Sequence, residues 1–308
     1  MIENFNDDTV IILLSTYNGK LYLRDQIESL LNQDYPHIEI FIRDDGSTDG
    51  TVEILNTLEE KYESINIIYG ENIGVVSSFF ELLMTAKSAK YYAFCDQDDV
   101  WLKDKISRAT NIIIHKNSEK PILYGSSVTI VDQDLMIMRE NAVKELVPSF
   151  NNALIQNIFT GCTIMINDEA RKHLLKEVPL KLRMHDWWMY QVISGIGEVV
   201  YDSDSRILYR QHGNNAVGSY KNKVNLWVKR IKRFKSGSSL PFIMHHANEL
   251  NRIFYNDLTK ENQKMLNEFF DIRKNIAYRI RFVLTKKISR QNFFDDILFK
   301  ILILFKKI

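Results

Sequence analysis

The eight residues Phe94-Cys95-Asp96-Gln97-Asp98-Asp99-Val100-Trp101 put three carboxylates where an apolar run, Tyr91 to Phe94, gives way to polar residues. Such a run reads as a short buried strand. The acids therefore leave the core together at its carboxyl end, where open α/β sheets bind ligands. Carboxylates this close repel one another unless a cation or a set of donors neutralises them. A hard divalent ion does so most simply, and Mg²⁺ is characteristically shared between one or two carboxylates and phosphate oxygens. The stretch thus suggests a nucleoside diphosphate with Mg²⁺ or Mn²⁺ as cofactor. A solvated acidic turn capping the helix that starts near Leu102 would use the same residues, so neighbouring segments must decide.

Two further polar loops follow apolar runs of the same kind. Val10 to Leu14 ends in Ser15-Thr16-Tyr17-Asn18-Gly19, and Glu39 to Ile42 breaks into Arg43-Asp44-Asp45-Gly46-Ser47-Thr48-Asp49-Gly50. Apolar spacing predicts helices over Leu21–Asn32, Thr51–Lys61 and Val75–Lys87, with a strand at Ile65–Tyr69 between the last two. This alternation predicts an α/β, doubly wound, mainly parallel sheet. The three loops follow its first, second and fourth strands and so share one rim. Gly46 with Ser47, Thr48 or Asp49 would also serve as plain turn and cap chemistry.

Past a helix at Leu102–Ile114, strands at Ile122–Val131 and Leu135–Met138 flank an Asp132-Gln133-Asp134 turn, so the sheet should be mixed. Phe159 to Ile166 reads as a strand in which Gly161 lets a group approach the backbone closely or eases packing or a bulge. Met184-His185-Asp186-Trp187-Trp188 opens a helix with Asp186 at or near its cap, and two tryptophans offer aromatic faces on which an apolar ring can stack. After strands at Val199–Tyr201 and Arg206–Tyr209 comes Arg210-Gln211-His212-Gly213-Asn214-Asn215. There His212 can complete a metal shell and Arg210 can clamp phosphate oxygens.

In order, Ser15 to Gly19, Asp44 to Thr51, Asn72-Ile73-Gly74 and Asp96 to Asp99 resemble the family 2 glycosyltransferases of GT-A fold. The resemblance covers residues 8 to about 215. It implies an inverting, metal-dependent sugar transferase using a nucleotide-diphosphate sugar. Thr16 and Asp45 would contact the nucleobase, with Tyr17, Asn18 and Asp44 completing that pocket. Asp96-Gln97-Asp98 would be the Asp-any-Asp motif, Asp96 near the ribose and Asp98 on the metal with His212. Asp186 would be the general base, with Gly161, His185, Trp187 and Trp188 around the sugar or acceptor. The sets Asp96 to Trp101, His185 to Trp188 and Arg210 to His212 are similar to bacterial rhamnosyltransferases. That likeness implies dTDP-L-rhamnose as donor and a lipid-linked, cell-wall or capsular polysaccharide as acceptor. A UDP-hexose donor would need the same carboxylates, and a non-catalytic sugar-nucleotide scaffold would keep the pocket without turnover.

The net charge of +1 hides an asymmetry, since residues 220–308 hold about 20 Lys/Arg against about 7 Asp/Glu. We therefore expect a GT-A catalytic domain over 1–219 and a basic helical region over 220–308, the latter containing a short flexible Ser-Gly connection at 236–240 that is not a domain boundary. A basic amphipathic helix at Lys221–Lys235 and the apolar run Phe293–Ile308 suit the anionic face of a membrane or a second copy of the chain. No recognised nucleic-acid module accompanies the charge. Cys95 and Cys162 lie in apolar runs and read as free buried thiols. With no signal-peptide pattern and no spanning apolar run, the expected place is the cytoplasm, peripheral on the inner face of the cell membrane.

Overall fold

The computed structural model describes residues 8–140, 146–180, 182–212, 240–285 and 287–306. Strand β1 (Val10–Thr16) is apolar on both faces: Ile11 and Leu13 enter one core, Val10, Ile12 and Leu14 the other. A strand buried on both sides needs helices above and below it, as in parallel sheets. It pairs in parallel with β2 (Ile38–Asp44) and with β4 (Tyr91–Cys95), and β2 carries β3 (Ile65–Tyr69) on its outer edge. Beyond β4 the sheet continues through β9 (Met165–Asn167), β6 (Ile122–Ser126) and β10 (Glu198–Asp202). Only β9 runs antiparallel to its neighbours. Among the described residues the main sheet has seven strands in the order β10-β6-β9-β4-β1-β2-β3.

Helices α1 (Leu23–Leu31), α2 (Thr51–Lys61) and α4 (Lys105–Ile113) cover one face of this sheet. The other face takes α3 (Val75–Thr85), α5 (Phe150–Ala153), α6 (Asp168–Leu174) and α7 (His185–Ile196). Four C-terminal helices extend the same core: α8 (Leu240–Phe254), α9 (Lys260–Asp271), α10 (Ile276–Leu284) and α11 (Phe293–Leu304). Trp188 of α7 meets Phe254 of α8 with ring centroids 6.0 Å apart, and Phe269 meets Phe282 at 5.9 Å. The expected helix at Lys221–Lys235 and most of the Ser-Gly connection lie outside the described residues.

Two expected strands take other forms. The run Ile122–Val131 splits: after β6 the chain leaves the main sheet at Ser126-Ser127 and resumes as β7 (Thr129–Val131) in a second sheet, ordered β5-β11-β7-β8. Its partners are β5 (Val100–Trp101), β8 (Ile137–Glu140) and β11 (Ile207–Arg210). The turn between β7 and β8 forms as expected, with Asp132 Oδ1 accepting from the backbone N–H of Asp134 and Met136. Within Phe159–Ile166, residues Gly161–Thr163 form a 3₁₀ turn in place of strand. Thr163 donates both its N–H (2.9 Å) and its hydroxyl (2.7 Å) to Thr160 O, which closes that turn before β9 begins.

One ion pair fastens the end of β10. Buried Asp202 accepts from Arg108 Nε at 2.6 Å, Arg108 Nη2 at 2.9 Å and the Tyr124 hydroxyl at 2.9 Å. Burial would raise its pKa, but Arg108, the Asp204 N–H and Tyr124 outweigh that and hold it below the usual value. Its stabilising contribution is therefore present above the unfolded carboxylate pKa and is lost as pH falls through the depressed folded value. Asp202→Ala leaves the buried Tyr124 phenol without its acceptor and Arg108 with Asp204 alone. We expect a loss of about 3 kcal/mol in urea unfolding at neutral pH; a loss under about 0.5 kcal/mol would show that this tie does not hold the strand.

Candidate active site

The loops after β1, β2 and β4 meet at one rim. Gln97 latches two of them: its Oε1 accepts from the Thr16 hydroxyl at 2.6 Å and from Tyr17 N–H at 2.9 Å, and its Nε2 donates to Tyr17 O at 3.1 Å. Gly19 lies against this latch, where a Cβ would come within 2.4 Å of Gln97 Oε1. Asn18, at φ 50°, ties the first loop to the second by accepting from Thr48 N–H and donating its own N–H to Ser47 Oγ. Tyr17 stays half exposed above them. Asp44 is buried and accepts from Ser47 N–H at 2.9 Å, while its other oxygen has no partner. Asp45 is fully occupied within the chain. Its oxygens accept from Arg43 Nη1 (2.5 Å), Ile73 N–H (2.8 Å) and Gly74 N–H (2.9 Å). As the chain stands, it shapes the pocket by drawing in the 70–74 loop.

The acids after β4 point in different directions. Asp98 faces His212, whose Nε2 stands 2.7 Å from Asp98 Oδ2. Asp99 turns inward, fully buried, with one oxygen on Arg210 N–H at 3.0 Å. Burial, then Asp98 and Asp96, pushes Asp99 well above the usual carboxylate range. Asp96 is half-buried between the two. Desolvation, Asp98 and Asp186 raise it to about 7. Asp96 thus feels both the metal-type pair and the base expected from the sequence.

Arg210 corrects the expectation of a free phosphate clamp. Its guanidinium is 3% exposed and donates to Asp98 O (2.9 Å), Gln133 O (2.6 Å) and Asp25 (3.0 Å), while lying over the Tyr22 ring at 4.5 Å. It holds the acidic loop in place. Tyr22 also meets the His212 ring, with centroids 4.9 Å apart. Neither Asp25 nor Tyr22 was legible as a site residue, because in a helix's first turn an acid and an aromatic read as cap and packing.

Asp186 lies in the first turn of α7, after Met184 as N-cap, and is 4% exposed. Burial lifts its pKa to about 6, opposed by hydrogen bonds that include Trp187 N–H at 2.6 Å and the Asn157 side chain. Gly161 sits directly against it: a Cβ there would be 2.9 Å from His185 Nε2 and 3.8 Å from the Asp186 Cβ. His185 packs on Phe79 at 4.2 Å with neither ring nitrogen bonded, and burial lowers its pKa to about 3. The tryptophans also depart from expectation. Trp188 is fully buried and Trp187 is 7% exposed, with its Nε1 on Ala153 O. They brace α7 from behind, since an aromatic next to an apolar core gains more from burial than from an open face.

Two donor sets suit a cation to different degrees. Asp96, Asp99 and Cys162 bring ligand atoms within 4.8 Å of one another. Burial, with Asp99 and Asp96, keeps the Cys162 thiol well above its ordinary pKa, so it stays protonated and suits a hard ion poorly. Asp98 and His212 reach the rim and offer oxygen and imidazole nitrogen, which fit Mg²⁺ or Mn²⁺ sharing its shell with phosphate.

Residues 11–127 match the family described as Glycosyl transferase family 2. The chain is 31% identical over 223 residues to the dTDP-rhamnosyl transferase RfbG of Shigella flexneri, an alignment covering 67% of this chain and 74% of that protein. It is 33% identical over 162 residues to the putative teichuronic acid biosynthesis glycosyltransferase TuaG of Bacillus subtilis, covering 52% of this chain and 62% of that one. Among solved structures, S. aureus TarS 1-349 in complex with UDP-GlcNAc superposes with a TM-score of 0.55 at 17% identity, over 89% of this chain and 80% of that one. The mannosyltransferase PcManGT of Pyrobaculum calidifontis, in complex with GDP-Man and Mn²⁺, gives 0.50 at 14% identity, over 90% and 84%. The fold is of the GT-A type, a mixed, mainly parallel sheet followed by a helical region. From its likeness to the Shigella transferase and its match to the family model, the chain belongs to glycosyl transferase family 2.

Proposed function

We propose that this glycosyltransferase is metal-dependent and inverting, and that it moves L-rhamnose from dTDP-L-rhamnose to a lipid-linked or polysaccharide acceptor of the cell wall or capsule. The observation that carries the reading is the division of carboxylates: Asp98 stands 2.7 Å from His212, while Asp186 is buried in the first turn of α7 with its pKa raised to about 6, and, after burial, the charges of both raise the pKa of Asp96. A carboxylate with its pKa near the working pH suits proton abstraction. Asp186 takes the proton of the acceptor hydroxyl as that oxygen attacks the anomeric carbon opposite the leaving diphosphate, so the configuration inverts. Thr16, Asp45 and the loop it draws in form the base pocket, and Asp96 faces the ribose. Asp98 and His212 would hold Mg²⁺ or Mn²⁺, which would balance the charge growing on the diphosphate. The dTDP-rhamnosyl transferase relative supports rhamnose, whereas the UDP-GlcNAc complex of TarS supports a UDP-hexose donor as second reading. Release of nucleoside diphosphate from dTDP-rhamnose but not from UDP-sugars would settle the donor; the reverse would reject rhamnose.

Three outcomes test these roles. Asp186→Asn should cut transfer about 10²-fold or more with donor affinity unchanged, whereas Asp98→Asn should weaken metal-dependent donor binding. Equal loss of donor affinity in both variants would contradict the division of labour. With saturating donor and acceptor, turnover should fall as pH drops below about 6, because protonated Asp186 accepts no proton; a flat profile down to pH about 4.5 would remove it as base.

Folding stability gives a separate reading. Folding raises the Asp186 pKa from 3.8 to about 6. Its contribution is therefore fully present below the unfolded value and is lost as pH rises through the folded one. Near pH 8 the buried charge costs about 3 kcal/mol, so Asp186→Asn should stabilise the protein there and do little near pH about 4. Destabilisation of the variant at pH about 8 would mark Asp186 as a structural cap instead.

A further inference from the structure

The outward faces of α10 and α11 are apolar. On α10, Ile276, Ile280 and Leu284 recur every four residues and are 49%, 45% and 71% exposed. Along α11 and its end, Phe294, Ile297, Ile301 and Phe305 recur at three- and four-residue spacing, with Phe294 61% and Phe305 71% exposed. The inward faces are fully used, since Phe282, Phe299, Leu302 and Ile303 are buried in the shared core. The two helices pack on each other, with Arg279 Nη1 donating to Leu304 O at 2.8 Å beside exposed Ile280 and Phe305. An exposed apolar surface of this extent marks a place of contact.

The charge around it narrows the partner. From Ile272 to Ile308 the chain has ten Lys/Arg and two acids, Asp295 and Asp296. Asp296 is buried and paired with Lys300 at 2.5 Å, so these two charges offset each other and leave nine Lys/Arg against Asp295. A second copy docking through the same face would set cations against cations. Nucleic acid would answer the charge but give Ile and Leu side chains nothing to bury against. We propose that α10 and α11 lie on an anionic lipid bilayer, with the apolar stripe at the acyl boundary and Lys and Arg among the headgroups. No helix among the described residues is long and apolar enough to cross a membrane, so the contact is peripheral. The inference deepens the transferase reading, resting on it for the acceptor's place at a membrane, while its own observations are independent of catalysis.

Flotation of the purified full chain with vesicles tests it, using phosphatidylcholine alone and phosphatidylcholine with about one third phosphatidylglycerol. The protein should float with the anionic vesicles, less so as salt rises, and hardly at all with the neutral ones. The double variant Leu284→Glu, Phe294→Glu changes only exposed side chains and should reduce binding at least about tenfold. Its thermal melt and nucleotide release should match the parent. Failure of the parent to float, or a variant that floats equally well, would overturn the assignment. So would a parent dimer, found by sedimentation without lipid, that the variant splits. Absence of nucleotide release from the parent would reject the transferase reading and leave the flotation result standing.

Discussion

Arg210 is the tie on which the geometry of the site depends. A guanidinium this deeply buried is tolerable only when its donors are met, because desolvating an unpaired cation costs several kcal/mol. Its partners come from three places: Asp25 on α1, the carbonyl of Asp98 after β4, and the carbonyl of Gln133 between β7 and β8. Meeting all three at once fastens the small sheet across the mouth of the large one. His212 follows two residues later and is thereby delivered to Asp98. The side chain reads as a ligand for phosphate, yet these bonds spend its donors within the chain.

The second constraint is dryness. Asp96, Asp99 and Asp186 are all pushed above their ordinary pKa, with burial the largest cause each time. The carboxyl ends of strands lie where a sheet covered on both faces opens, so acids placed there sit over apolar layers. A fold selected for stability alone would not gather three such groups. The tension is offset by the two continuous cores beneath, and it leaves the site disposed to accept a cation and a proton.

Much of this was legible in the sequence where the cause is local. Strand ends, turn residues and the order of the acidic loops come from neighbours a few positions away, and the expected strand at Ile65–Tyr69 and helix start at Thr51 agree with the structure. What escaped depends on distant partners. The bond from Arg210 N–H to Asp99 spans 111 positions, and no local pattern tells a tether from a clamp. Trp187 and Trp188 carry the composition of a sugar platform, but the arrival of α5 and α8 buries them. Gly161 reads as room for a sugar ring or as relief for packing or a bulge; that the group against it is the His185–Asp186 step of α7 follows only from the tertiary fold.

Both thiols of the chain are sealed in the interior, Cys95 beneath the acidic loop and Cys162 in the 3₁₀ turn, and burial keeps each protonated. A polar maleimide therefore finds no native target while the fold is intact. A single cysteine placed anywhere on the outside becomes a unique attachment point for a dye or spin label. The molecule accepts spectroscopic reporters without first being stripped of its own sulfur.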